Sequence, residues 1–155
     1  MPIAAIGHGS DETELGLGTL LRMPYQAMMT DAVEPALATV GYGDVRSAHL
    51  PVIQALARNP AGLRATALAT YARITKQSMG SLVDHLGAGG YVERVPDPTD
   101  GRAKVVRLTP RGWALSRAIR DAVSRAEADW TGRVGAARVE QLRAILRDLV
   151  AALER

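Results

Sequence analysis

Between Leu63 and Gly112 the apolar positions change period three times. Leu63, Ala67, Leu68 and Ala72 recur at helical spacing, the pattern breaks at Arg73-Ile74-Thr75, and Met79, Leu82, Val83 and Leu86 restore it. This predicts a helix, a tight turn and a second helix starting near Lys76. Thr75 is suited to cap the second helix, because its side-chain oxygen can accept a backbone N–H left unpaired in the first turn. Turning Met79, Leu82, Val83 and Leu86 inward leaves Lys76, Gln77, Ser78, Ser81 and His85 outward, a polar face with one permanent charge. Gly87-Ala88-Gly89-Gly90 supplies the stop. Tyr91 to Val95 and Lys104 to Leu108 are β-rich runs, and Pro96 to Ala103 between them is rich in turn formers, which predicts a protruding loop. Thr109-Pro110 then opens another helix, Thr as cap and Pro in the first turn.

These residues carry a resemblance. The run TKQSMGSLVDHL resembles the recognition helix of the MarR-type (multiple-antibiotic-resistance regulator) transcription factors, and GGYVERVPDPTDGRAKVVRLTPRG resembles their wing. The Asp100-Gly101-Arg102 tip and the Leu-Thr-Pro-x-Gly exit (Leu108 to Gly112) occur in the family's order, so motif-level similarity covers about fifty residues. The resemblance implies a mainly α fold with a small antiparallel β-wing: a winged helix-turn-helix lobe at 46–111, with dimerisation helices at 14–45 and 112–155, all in one domain. It further implies a homodimeric, ligand-responsive repressor acting on a pseudo-palindromic double-stranded operator.

Outside this stretch, residues 1–13 show little periodicity and read as a loose arm. Their His8, Ser10 and Asp11 sit too close together in a flexible terminus to hold a catalytic geometry. Leu15 to Val40 is helical in pattern, with Leu17, Leu20, Leu21, Met28, Met29, Val33, Leu37 and Val40 on the apolar side. Pro24 and Pro35 each remove a backbone donor, which predicts a kinked or divided helix. A short helix from Arg46 to Ala57, capped by Ser47, turns Leu50, Ile53 and Leu56 inward. Beyond Gly112, Leu115, Ile119, Ala122, Val123, Ala126 and Trp130 mark a long amphipathic helix. Val139, Leu142, Leu146, Leu149 and Leu153 then form a seam at alternating steps of three and four. An intramolecular packing face and a dimer seam fit that spacing equally; the resemblance favours the dimer.

Charge narrows the partner. Residues 1–45 hold one basic and six acidic side chains, a net of −5, whereas residues 58–111 hold nine basic and four acidic, a net of +5. A basic middle on an acidic base fits a polyanion bound by the middle alone. The chain has no cysteine, which removes disulfides, thiolate metal sites and the oxidation-sensing branch of the family. No apolar run reaches membrane-spanning length and no signal-peptide pattern opens the chain, so a cytoplasmic location and no membrane partner are expected. With no Phe, two Trp and four Tyr, it lacks the aromatic platforms of single-strand binders.

On this reading the helix from Lys76 enters a major groove. Gln77, Ser78 and Ser81 bond to base edges and Lys76 reaches phosphate or guanine, with Arg73 and Thr75 contributing from the turn. Arg102 enters the adjacent minor groove, oriented by a charge-assisted hydrogen bond that it donates to Asp100, while Lys104 and Arg107 contact phosphate. The resemblance also implies a small aromatic or phenolic effector, for which Met23, Tyr25, Met28, His49, Val52 and Trp113 are the candidate lining. A protein-interaction winged helix without DNA binding is the alternative, against which the polar recognition face counts. An enzyme has least support, since His8, His49 and His85 lack metal-ligand spacing and no phosphate-binding glycine motif is present. No cofactor is expected.

Overall fold

The computed structural model describes residues 15–153; the expected arm at 1–13, with His8, Ser10 and Asp11, lies outside them. The chain forms α1 (Leu17–Ala27), α2 (Glu34–Thr39), α3 (Leu50–Arg58), α4 (Ala65–Ala72), α5 (Lys76–Ala88), β1 (Val92–Asp97), β2 (Asp100–Leu108), α6 (Pro110–Val134) and α7 (Ala136–Leu153). It is a mainly helical fold with one two-stranded antiparallel sheet.

The proline-containing first segment is divided, though at neither proline. Between α1 and α2, Met28–Val33 forms a widened π-helical turn, closed by the Glu34 N–H on the Met29 carbonyl. Pro35 lies in the first turn of α2. In an α-helix its ring would press on the carbonyl four residues back, and the wider turn just ahead of it relieves that crowding. Thr30 adds a hydroxyl bond to the Gln26 carbonyl at 3.0 Å. Met28, Met29, Val33 and Leu37 are buried as the pattern predicts, whereas Leu17, Leu20, Leu21 and Val40 are exposed. The same is true of the last helix: α7 has no buried residue, and Leu142, Leu149 and Leu153 face outward.

Ser47 does not cap the third helix. Its N–H donates to Glu34 Oε1 at 2.6 Å, and Ser47–His49 forms a 3₁₀ turn in which His49 Nδ1 accepts the Arg46 N–H at 2.9 Å. The donor that the His49 ring satisfies is the N–H of Arg46, ahead of the turn, and the Ser47 hydroxyl makes no cap bond.

The core joins the two halves. Leu50, Ile53 and Leu56 of α3, Leu68 of α4, Met79, Val83 and Leu86 of α5, Tyr91, Val106 and Leu108 of the hairpin, and Leu115 and Ile119 of α6 pack as one cluster. Each such side chain contributes roughly 1.5–3 kcal/mol by leaving water. Ser116, on the inner side of α6, is buried among them.

Candidate nucleic-acid interface

Thr75 caps α5 as its sequence position predicts: its backbone is extended (φ −67°, ψ 156°) and its Oγ1 accepts the Ser78 N–H at 3.1 Å. Arg73 makes the preceding turn in the left-handed region at φ 54°, the one non-glycine residue with positive φ among the described residues. Met79, Val83 and Leu86 are buried, and Lys76, Gln77, Ser78, Ser81 and His85 are exposed. Periodicity alone therefore separated the two faces of this helix.

Hydrogen bonds within the face limit what it can offer. Ser81 Oγ donates to the Gln77 carbonyl at 3.3 Å, so toward a base edge it is left as an acceptor. Thr75 Oγ1 donates to Ser78 Oγ at 2.9 Å, leaving Ser78 its own hydrogen to give. His85 is committed elsewhere: its Nε2 lies 2.8 Å from the Asp44 carbonyl, and its ring stacks on His49 with centroids 4.4 Å apart. His49 is buried beneath it, and burial first, then the neighbouring His85 charge, lowers its pKa below the ordinary 6.5.

The wing is longer and tighter than the sequence predicts. β1 extends through Pro96 and Asp97 and β2 begins at Asp100, so the expected loop Pro96 to Ala103 reduces to Pro98 and Thr99. The cause is Asp97, whose Oδ1 accepts both the Thr99 N–H at 2.8 Å and the Thr99 hydroxyl at 2.7 Å, folding the tip on itself. The register shifts between Pro96 and Asp97, where the proline lacks a donor.

At the tip Arg102 is exposed and its guanidinium has no ion-pair partner among the described residues. Asp100 does not hold that guanidinium. Its Oδ1 accepts the Arg102 backbone N–H at 3.2 Å, and its Oδ2 faces Arg64 at 3.4 Å. Lys104 is exposed, while Arg107 is spent on Glu93, Nε to Oε1 2.8 Å. Two further pairs escaped the sequence reading. Asp84, outward on α5, binds Arg94 of β1 at 2.6 Å, and Arg64 binds Asp97 at 2.7 Å. Sequence separations of 10 and 33 residues hide both.

The six candidate effector residues do not converge. A cavity of about 510 Å³ opens among α1, α3, α6 and α7, lined by Leu20, Pro24, Tyr25, Met28, Trp130 and Leu146 among others. Of the six, Tyr25 and Met28 line it. Met23, Val52 and Trp113 do not, and His49 is instead stacked under His85. Trp130, twenty residues beyond Pro110 on α6, is the tryptophan that lines it. Among the described residues no group of His, Cys, Asp or Glu could hold a metal, and no helix is long and apolar enough to cross a membrane.

Known proteins share this arrangement. The MarR family model matches residues 44–103, from Asp44 to just past the wing tip. A protein assigned to transcriptional regulation of the hcr operon in Thauera aromatica is 29% identical over 154 residues, spanning 95% of this chain and 85% of its own. The crystal structure of the Mycobacterium tuberculosis MarR family protein Rv2887 with salicylic acid aligns with a TM-score of 0.68 at 27% identity, over 88% of this chain and 98% of that one. CouR from Rhodococcus jostii RHA1, bound to p-coumaroyl-CoA, aligns with a TM-score of 0.68 at 25% identity, over 85% and 90%. A polar, N-capped helix set beside a hairpin tipped by an unpaired arginine, in a chain whose residues 44–103 match the MarR family model and which aligns with these regulators over most of its length, is the arrangement of a MarR-type winged helix-turn-helix, DNA-binding transcriptional regulator.

Proposed function

We propose that the chain acts as a homodimeric repressor that releases its operator when an aromatic ligand binds between its helices. The observation that carries the DNA geometry is the pairing of the exposed polar face of α5 with the unpaired Arg102 at the wing tip. Gln77, Ser78, Ser81 and Lys76 read the major groove, and Arg102 enters the minor groove beside it. Lys104, and Arg73 and Thr75 in the turn, face the phosphates. Arg107 reaches phosphate only by leaving Glu93.

Dimerisation is supported by the apolar ends. Leu17 is 64% and Leu153 is 70% exposed, and Leu142, Ile145, Leu149 and Val150 line the outer side of α7 without cover. Such a stripe is costly to leave in water. A twofold partner reading a second half-site also gives the specificity that one module lacks. The effector reading rests on the cavity lined by Tyr25, Met28 and Trp130, whose walls suit a planar apolar ring. Rv2887 with salicylic acid and CouR with p-coumaroyl-CoA set the ligand class to try first.

The test begins with genomic fragments selected by the purified protein. Arg102→Ala should weaken binding to the selected duplex on the order of tenfold or more, the size of one lost contact. Unchanged affinity would remove the wing from the interface. Adding salicylate or a cinnamic acid should raise the melting temperature and release DNA. Compounds that do neither, across aromatic acids and their thioesters, argue against the effector. Sedimentation should give twice the monomer mass.

A further inference from the structure

We propose that Arg64 is a positioning residue for DNA binding, clamping the wing tip to the start of α4 so that Arg102 meets the groove at a fixed distance from α5. The inference rests on the reading that Arg102 contacts DNA.

Arg64 occupies the position before α4, with an extended backbone (φ −65°, ψ 145°), where a serine, threonine or aspartate would cap the helix. No side chain caps there. The guanidinium crosses instead to the hairpin: Nε and Nη2 both lie 2.7 Å from Asp97 Oδ2, and Nη2 lies 3.4 Å from Asp100 Oδ2. Asp97 is only 7% exposed, while its other oxygen holds the Thr99 amide and hydroxyl. Thr99's hydroxyl first, then its amide and the Arg64 guanidinium, lower the Asp97 pKa from 3.8 to about 2, so the carboxylate stays charged throughout the working range. The same Asp100 whose Oδ2 faces Arg64 accepts the Arg102 N–H on Oδ1. A continuous set of hydrogen bonds thus runs from the first residue of the helix-turn-helix to the backbone of Arg102.

The neighbouring residues explain why a side chain is needed. Leu63 bridges Val106 with two backbone bonds, 2.9 and 2.8 Å, which ties the chain before α4 to the lower half of β2. Gly62, at φ 98°, permits this approach, since a Cβ there would stand 2.8 Å from the Val106 carbonyl oxygen. Past the register shift at Pro96 the backbone gives no further tie to the helices, and a two-stranded hairpin alone is marginally ordered. Arg64 is the side chain that reaches over that gap. Its fork serves two carboxylates, a geometry that lysine does not reproduce.

The experiment is a double-mutant cycle on the selected duplex, using Arg64→Ala, Arg102→Ala and the pair, read by fluorescence anisotropy, with hydroxyl-radical and methylation footprints of each. Arg64→Ala alone is expected to weaken binding about fivefold and to lose the wing's minor-groove protection while keeping α5's major-groove protection. In the Arg102→Ala background it should cost nothing further. Arg64→Lys should fall between wild type and Arg64→Ala, and it stands in should the alanine variant fail to fold. Additive losses, or equal loss of both footprints, would make Arg64 an independent phosphate contact or a general stabiliser and overturn the inference. An Arg102→Ala protein with full affinity would overturn the wing reading itself, and this inference with it.

Discussion

Two glycines of one helix should respond in opposite directions to the same substitution. Gly112, in the first turn of α6, is buried against the start of the wing. A methyl group there would overlap the Tyr91 carbonyl oxygen and stand 3.0 Å from its carbon and 3.1 Å from Leu108 Cδ2. That carbonyl accepts the Thr109 N–H at 3.1 Å, so relief requires β1 and α6 to separate and that bond to lengthen or break. Overpacking costs about 1–3 kcal/mol and a lost hydrogen bond about 0.5–1.5 kcal/mol. Against them stands a gain of about 1 kcal/mol from replacing glycine by alanine within a helix.

The clash wins, and Gly112→Ala should destabilise by about 2 kcal/mol net, or roughly 4–8 °C in melting temperature for a chain this size. Gly132, near the other end of α6, is exposed, and a Cβ there meets nothing within 4 Å. With no clash to offset, Gly132→Ala should stabilise by about 0.5–1 kcal/mol. Urea denaturation of both variants beside wild type measures the difference directly. If Gly112→Ala melts at or above wild type, the close approach of α6 to Tyr91 does not constrain this position, and the Thr-Pro-x-Gly exit needs another explanation.

Thr75→Ala should cost about 1 kcal/mol in urea denaturation through loss of the cap on α5, before any effect on DNA is counted; no loss would mean the hydroxyl bond to Ser78 N–H contributes nothing. Because folding lowers the His49 pKa below 6.5, the unfolded chain binds a proton that the folded chain resists. Stability is therefore full above that value and declines as pH falls from 6.5 toward the lowered folded value. His49→Asn, which keeps an acceptor for the Arg46 N–H, should flatten this leg of a pH series, and an unchanged slope would assign the proton to another group. Glu93→Gln should free Arg107 for phosphate and remove a negative charge from the wing. DNA binding should tighten and the salt dependence steepen by about one unit, whereas weaker binding would mean the pair is needed to shape β1 and β2.

What the sequence made legible is what local chemistry decides. The break at Arg73-Ile74-Thr75, the cap at Thr75 and the inward set Met79, Val83 and Leu86 follow from spacing within one turn or two, and the folded chain keeps them. The misreadings come from competition between partners. Ser47 is a good cap by type, yet the turn that begins there is held by Glu34, thirteen residues away, on the Ser47 N–H, and by the His49 ring on the Arg46 N–H. The wing tip looked like an eight-residue loop because its composition is turn-like, but Asp97 gathers Thr99 and Arg64 and lets the strands run almost to the end. The candidate effector residues scatter for a related reason. Positions chosen along three helices give no information about which faces meet, and on α6 it is Trp130, not Trp113, that lines the cavity with Tyr25 and Met28.

Charge shows the same limit in a form that bears on function. The nine cations counted between residues 58 and 111 are not nine charges available to DNA. Arg64, Arg94 and Arg107 are in ion pairs, Arg58 donates to the Tyr71 hydroxyl, and Arg111 lies over the rings of Tyr42 and Tyr91. Arg73, Lys76, Arg102 and Lys104 are the four left without a side-chain partner among the described residues. They fall at the turn, the N-terminal end of α5, the wing tip and the rising strand, which are the places a winged helix presents to a duplex. The paired cations tie the hairpin and helices together, and on the proposed reading only the unpaired ones would displace counterions from phosphate. A net charge summed along the sequence merges these two populations. The fold separates them because the ion pairs of Arg64, Arg94 and Arg107 join residues ten or more positions apart, which no sum along the sequence can register.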